Sequence, residues 1–150
     1  MNKYVEEKKY RGKVQALILD WSGTTADAYV VAPATVFVEV FKRQNVEISM
    51  PEARGPMGLR KDLHIKALTE VDTIKERWKG VYGKYPDQSD VDRMFADFVP
   101  LQLDCLRNYT TLLPGVAEVT QRLQKQGIKL GSTTGFIRPM VDILEEDAAK

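Results

Sequence analysis

The stretch Leu17-Ile18-Leu19-Asp20-Trp21-Ser22-Gly23-Thr24-Thr25 limits the possible folds more than any other part of the chain. An apolar run ends on an aspartate, and a small, hydroxyl-rich turn follows at once. Val14, Ala16, Leu17, Ile18 and Leu19 predict a short strand buried on both faces, as in a parallel sheet. Such a strand presents Asp20 at its carboxyl end, where open α/β sheets place their ligands. Gly23 allows a tight bend, and Thr24, Thr25 and the neighbouring N–H groups are candidates to receive an anion. Taken alone, Asp-x-Ser-Gly is equally an Asx turn after a strand, so the rest of the chain must decide.

The bounds are those of one ordinary domain, with or without a small insertion. The 150 residues are 43% hydrophobic and 29% charged, enough to bury a core. A formal net charge of +1 argues against general nucleic-acid or membrane-surface binding. No apolar run approaches the roughly 20 residues of a membrane span. The polar start, residues 1–12, reads as a leader without the apolar core of a signal peptide. The single cysteine, Cys105, suits a reducing, cytoplasmic setting and reads as a packing residue.

After the first turn, Pro33 predicts a helix start, and Val36, Phe37, Val40 and Phe41 recur at helical spacing until about Asn45. Pro51–Arg54 reads as one helical turn, broken by Gly55-Pro56-Met57-Gly58. A helix is expected over 59–68, with Lys61, His64, Ile65 and Leu68 on one face. A lysine and a histidine within an apolar stripe are unusual. The plain alternative is a snorkelling lysine beside a histidine satisfied by a carbonyl. Further helices are expected over 72–82 and from a cap at Ser89, the latter kinked at Pro100. The block from Pro33 to Arg107 is therefore all-helical. Val116, Val119 and Leu123 then predict the inner face of a helix stopped by Gly127. A second strand, Ile128–Leu130, runs into Gly131-Ser132-Thr133-Thr134-Gly135, and a last helix begins at Pro139. Two parallel strands joined by a crossover are the beginning of a doubly wound sheet.

Three pieces, Asp20-Trp21-Ser22-Gly23-Thr24-Thr25, Ala53–His64 with its Gly55-Pro56-Met57-Gly58-Leu59-Arg60-Lys61 run, and Gly131–Gly135, stand in an order that resembles the phosphonoacetaldehyde hydrolases (phosphonatases) of the haloacid dehalogenase superfamily. The resemblance covers about Lys13 to the C-terminus. It implies an α/β fold: a Rossmann-like core, here with an incomplete parallel sheet, and an inserted all-helical cap. On that basis 1–29 and 109–150 belong to the core and 30–108 to the cap. It also implies that Asp20 is the nucleophile and a Mg²⁺ ligand, with Ser22 as second ligand through its carbonyl. Thr134 would bind phosphate oxygens, Lys61 would form a Schiff base, and Met57 and Gly58 would line the substrate site. His64 would line its cap side and assist proton movement. The implied substrate is a small phosphonate, and the relatives resemble homodimers.

The chemistry explains these residue types. Direct C–P cleavage would expel a carbanion, whereas an iminium on Lys61 accepts those electrons and leaves as an enamine. Related phosphatases carry an aspartate two residues after the nucleophile to protonate an alkoxide. Ser22 occupies that position here and cannot act as that acid. Lys61 must also be neutral to attack an aldehyde. At a pKa of roughly 10.4 only about one molecule in 2,500 is neutral at pH 7. Burial on its helix is expected to lower that pKa, with Arg60 or a protonated His64 as possible helpers.

Members of this family are longer, and a further phosphate-contacting basic residue and an acidic metal loop are expected beyond a helix like that starting at Pro139. The chain thus reads as the N-terminal part of such an enzyme. A haloacid dehalogenase-type phosphatase or phosphotransferase, and a non-catalytic fragment, are the other readings open at this level.

Overall fold

The structure, a computed structural model, describes residues 12–148. Residues 1–11 of the expected leader lie outside them. Strand β1 (Ala16–Asp20) is followed by helices α1 (Val31–Arg43), α2 (Met50–Arg54), α3 (Lys61–Thr69), α4 (Asp72–Tyr82) and α5 (Gln88–Leu106). After a 3₁₀ turn come α6 (Val116–Lys125), strand β2 (Lys129–Thr133) and α7 (Arg138–Ala148). The two strands pair in parallel, in a register that sets Asp20 beside Thr133. That pairing brings both strand ends, and the turns after them, to one edge of the molecule.

The hydrophobic core lies in the helices. Phe37, Val40 and Phe41 of α1, Ile65 and Leu68 of α3, Ile74 and Trp78 of α4, and Met94 and Phe98 of α5 are fully or almost fully buried together. Met140 and Leu144 of α7 join them, so the last helix ties the sheet edge to the helical block. Arg107 strengthens that tie with ion pairs to Glu146 and Asp147. The two connections into the helical block also meet: Ala26 bridges Leu112, and the Leu113 N–H donates to the Thr25 carbonyl.

Local chemistry accounts for the helix ends. Asp27 starts α1 by accepting from the Val31 and Ala32 N–H groups at 2.9 and 3.1 Å, two residues before the expected Pro33 start. Asp87, rather than Ser89, caps α5, in a reciprocal box with Asp90. The helix continues through Pro100 to Leu106.

Two expectations fail together. β1 is not buried on both faces: Ile18 is 60% exposed. α6 buries none of its residues, and Val119, expected inward, is exposed. Both follow from the same cause. A parallel strand is covered on both faces only where further layers flank it, and among the described residues the sheet has just two strands.

Candidate active site

The turn after β1 is wound around one carbonyl. Trp21 O accepts from the N–H groups of Thr24, Thr25 and Ala26, at 3.2, 2.8 and 3.1 Å. The Thr25 hydroxyl lies within bonding distance of the Asp20 and Trp21 carbonyls, at 3.3 and 3.0 Å. The expected anion-receiving role is therefore corrected for the Thr24 and Thr25 N–H groups and the Thr25 hydroxyl: these donors face the turn's own backbone. The turn's contribution is to hold Asp20 and Ser22 outward. Gly23 makes the bend possible at φ +82°, and a Cβ there would sit 2.7 Å from Val30.

Asp20 lines an open cleft with two adjoining parts. The wider part, about 430 Å³, is bounded by Asp20, Gly58, Arg60 and residues 133–137. The narrower part, about 80 Å³, adds Ser22, Met57 and Lys61 to Asp20, Gly58 and Thr134. The structure thus brings Asp20, Ser22, Met57, Gly58, Lys61 and Thr134 around one space, although they come from both strand ends, the loop before α3 and the first residue of that helix. Thr134 also accepts from the Phe136 N–H at 3.2 Å, which fixes the loop after β2.

Lys61 is 5% exposed. Its ammonium lies 4.8 Å from the Phe136 ring centre and 5.9 Å from that of Phe37. Burial pushes its pKa down from 10.5 to about 8, while the negative charge of Asp20 pulls the other way. At pH 7 about one molecule in ten is then a free amine, against about one in three thousand at 10.5. Desolvation does this alone. The His64 charge considered above as a helper is absent at neutral pH, since burial holds that imidazole neutral.

His64 is not part of the cleft lining. It is fully buried behind it, its ring stacked on Phe37 at 3.8 Å between centres. Nε2 is 2.9 Å from the Ala53 carbonyl, so Nε2 carries the hydrogen and donates it. Nδ1 is then a bare lone pair, buried and without a hydrogen-bond partner. Burial pushes the His64 pKa down to about 4, with the Lys61 charge adding to the shift. The imidazole is neutral at pH 7.

Phe136, Gly135 and Arg60 were not among the expected site residues. Gly135 packs against the loop before α3: a Cβ there would lie 3.0 Å from the Leu59 carbonyl. Cys105, on α5, is half-buried, and burial raises its thiol pKa, as suits a packing residue.

Among curated proteins, the chain is 44% identical over 137 residues to phosphonoacetaldehyde hydrolase of Bacillus cereus, a match covering 91% of this chain and 52% of that protein. It is 44% identical over 144 residues to a bifunctional phosphonoacetaldehyde hydrolase/aminoethylphosphonate transaminase of Clostridioides difficile, covering 96% of this chain and 23% of that one. The chain is a homologue of the phosphonoacetaldehyde hydrolases. It spans about half the length of the Bacillus phosphonoacetaldehyde hydrolase it matches. Among solved structures, a phosphonoacetaldehyde hydrolase-like protein from Oleispira antarctica superposes with a TM-score of 0.89 at 37% identity, over 92% of this chain and 50% of that one. A haloacid dehalogenase-type (HAD) hydrolase from Entamoeba histolytica, at 16% identity and a TM-score of 0.59, shares the fold. No family model matches the chain. The α/β core with a small parallel sheet is thus a partial haloacid dehalogenase core, shared with the phosphonoacetaldehyde hydrolases.

Gly135→Ala is expected to push the loop before α3 away from Phe136. Backbone cannot yield as a flexible side chain can, and the contact at 3.0 Å is with a carbonyl oxygen. Lys61 would gain water, and its pKa would move back toward 10.5. Lysine-resolved labelling against pH would show the shift, and an unmoved Lys61 midpoint would refute it.

Proposed function

We propose that the protein hydrolyses the C–P bond of phosphonoacetaldehyde to acetaldehyde and phosphate, with Lys61 forming an imine and Asp20 receiving the phosphoryl group. One observation carries this reading: a buried lysine whose amine is pushed down to about 8 shares a pocket with an aspartate and a threonine-bearing strand end. A phosphatase has no use for such an amine, and Ser22 offers no acid for an alkoxide.

The neutral Lys61 amine adds to the aldehyde carbonyl, and the resulting carbinolamine takes up a proton at its hydroxyl and loses water to give the iminium. The Asp20 carboxylate attacks phosphorus. The C–P electron pair moves to the iminium, leaving an enamine on Lys61 and an acyl phosphate on Asp20. The enamine takes up a proton at carbon, and water releases acetaldehyde and the lysine. A second water cleaves the acyl phosphate. Phe136 and Phe37 keep bulk water from the amine, and Thr134 offers a hydroxyl to phosphonate oxygens. His64, neutral and hydrogen-bonded to Ala53, supports Lys61 from behind. Any proton service by His64 runs through Nδ1.

Asp20 and Ser22 line one pocket, and a carboxylate with a backbone carbonyl would be a hard oxygen set that suits Mg²⁺, which takes one or two carboxylates and fills its shell with water and substrate oxygens. Among the described residues no cluster of three His, Cys, Asp or Glu side chains stands ready for a metal. When bound, Mg²⁺ supplies charge neutralisation between carboxylate and phosphonate. No helix among the described residues is long and apolar enough to cross a membrane.

Borohydride reduction in the presence of acetaldehyde or phosphonoacetaldehyde, followed by peptide mass mapping, tests the reading. The expected adduct sits on Lys61. Adducts confined to the exposed lysines, with Lys61 unmodified, would favour a phosphatase.

A further inference from the structure

Arg60 precedes Lys61 at the start of α3 and lines the wider part of the cleft with Asp20, Thr133 and Thr134. Asp62 grips its guanidinium as a fork, Nε–Oδ1 at 2.7 Å and Nη2–Oδ2 at 2.6 Å. The Arg60 side chain is 66% exposed. An exposed pair of this kind adds only about 0–1 kcal/mol to stability. The fork occupies two of the five guanidinium N–H donors and fixes the plane of the group. Three donors are left.

Charge bookkeeping in the cleft gives those donors a task. Among the described residues that line its two parts, the charged side chains are Asp20, Arg60 and Lys61. Asp20 repels an anionic substrate wherever the Mg²⁺ proposed above does not offset its charge. Lys61 has to be neutral when it meets the aldehyde, so it offers no charge at that moment. Arg60 is the lining cation that is permanently charged. We propose that Arg60, oriented by Asp62, binds the phosphonate oxygens of the incoming substrate and selects an anionic aldehyde over a neutral one. This rests on the reading of Lys61 as the imine-forming residue.

The test compares wild type with Arg60→Gln, a change at an exposed side chain outside the core. Reductive trapping at Lys61 is followed against concentration for phosphonoacetaldehyde and for acetaldehyde. The ratio of the two half-saturating concentrations is expected to move against phosphonoacetaldehyde by about ten- to hundredfold, the range for hydrogen bonds to charged groups. A ratio unchanged within about twofold overturns the proposal. Methylphosphonate, which has no aldehyde, is titrated calorimetrically into the same two proteins. Should wild-type Lys61 trap neither aldehyde, the imine reading fails by itself, and this second arm decides on Arg60. Weaker methylphosphonate binding in the variant supports the proposal, and equal binding or none in both proteins overturns it.

Discussion

Replacing Lys61 by methionine is expected to abolish aldehyde trapping at position 61 and, at the same time, to make the protein more stable. The loss of trapping is simple, since the amine is the reactant. The gain in stability comes from the sign of the pKa shift. Lys61 titrates near 8 in the folded chain and at 10.5 when solvated. Below pH 8 both states hold the proton, and the folded state carries a desolvated ammonium that costs about 3 kcal/mol. Between pH 8 and 10.5 the folded state releases its proton first, the unfolded state binds more protons, and stability rises with pH. Methionine fills similar space without a charge, so Lys61→Met is expected to stabilise by about 1–3 kcal/mol at pH 7. The same substitution should flatten the rise in stability between pH 8 and 10.5. Urea unfolding at several pH values measures both. A destabilised Lys61→Met protein would mean that the lysine is kept for structure.

Phe37→Ala is expected to have the largest effect on stability, a loss of about 3–5 kcal/mol. Phe37 is fully buried, stacks on His64 and packs on Phe98 at 4.6 Å between ring centres. Its removal leaves a cavity beside two aromatic partners, each contact worth about 0.5–1.5 kcal/mol beyond its area. A second consequence separates this site from an ordinary core position. Phe37 also lies under Lys61, so water admitted to the cavity would raise the lysine pKa and slow trapping at neutral pH. Denaturation midpoints give the first effect and labelling rates the second. A protein with the expected loss of stability but unchanged Lys61 reactivity would show that Phe136 and the helix alone keep the amine dry.

How far the sequence reaches can be judged from these same residues. Asp20 at a strand end and Lys61, His64, Ile65 and Leu68 on one helical face were legible because periodicity alone places them. All four helix residues are buried. The meeting of Asp20 with Thr134 follows from parallel pairing, which the crossover rule anticipates. The role of the turn was misread because hydroxyl and N–H content says nothing about direction. Three N–H groups turn inward onto the Trp21 carbonyl, and only the backbone path decides that. The rings around Lys61 were hidden for a related reason. Phe37 and Phe136 lie far apart in sequence and look like ordinary core positions until tertiary packing brings them together. His64 was half legible: its carbonyl partner was anticipated, its withdrawal behind Phe37 was not. The exposed faces of β1 and α6 were missed because an apolar strand pattern presumes covering layers.

In the proposed reaction Lys61 is held ready as an amine. Pulsed acetylation of the folded chain across pH 6–11, with each lysine quantified by mass spectrometry, tests it directly. Lys61 is expected to reach half of its maximal reactivity near pH 8. A Lys61 midpoint at the ordinary lysine value of 10.5 would contradict this.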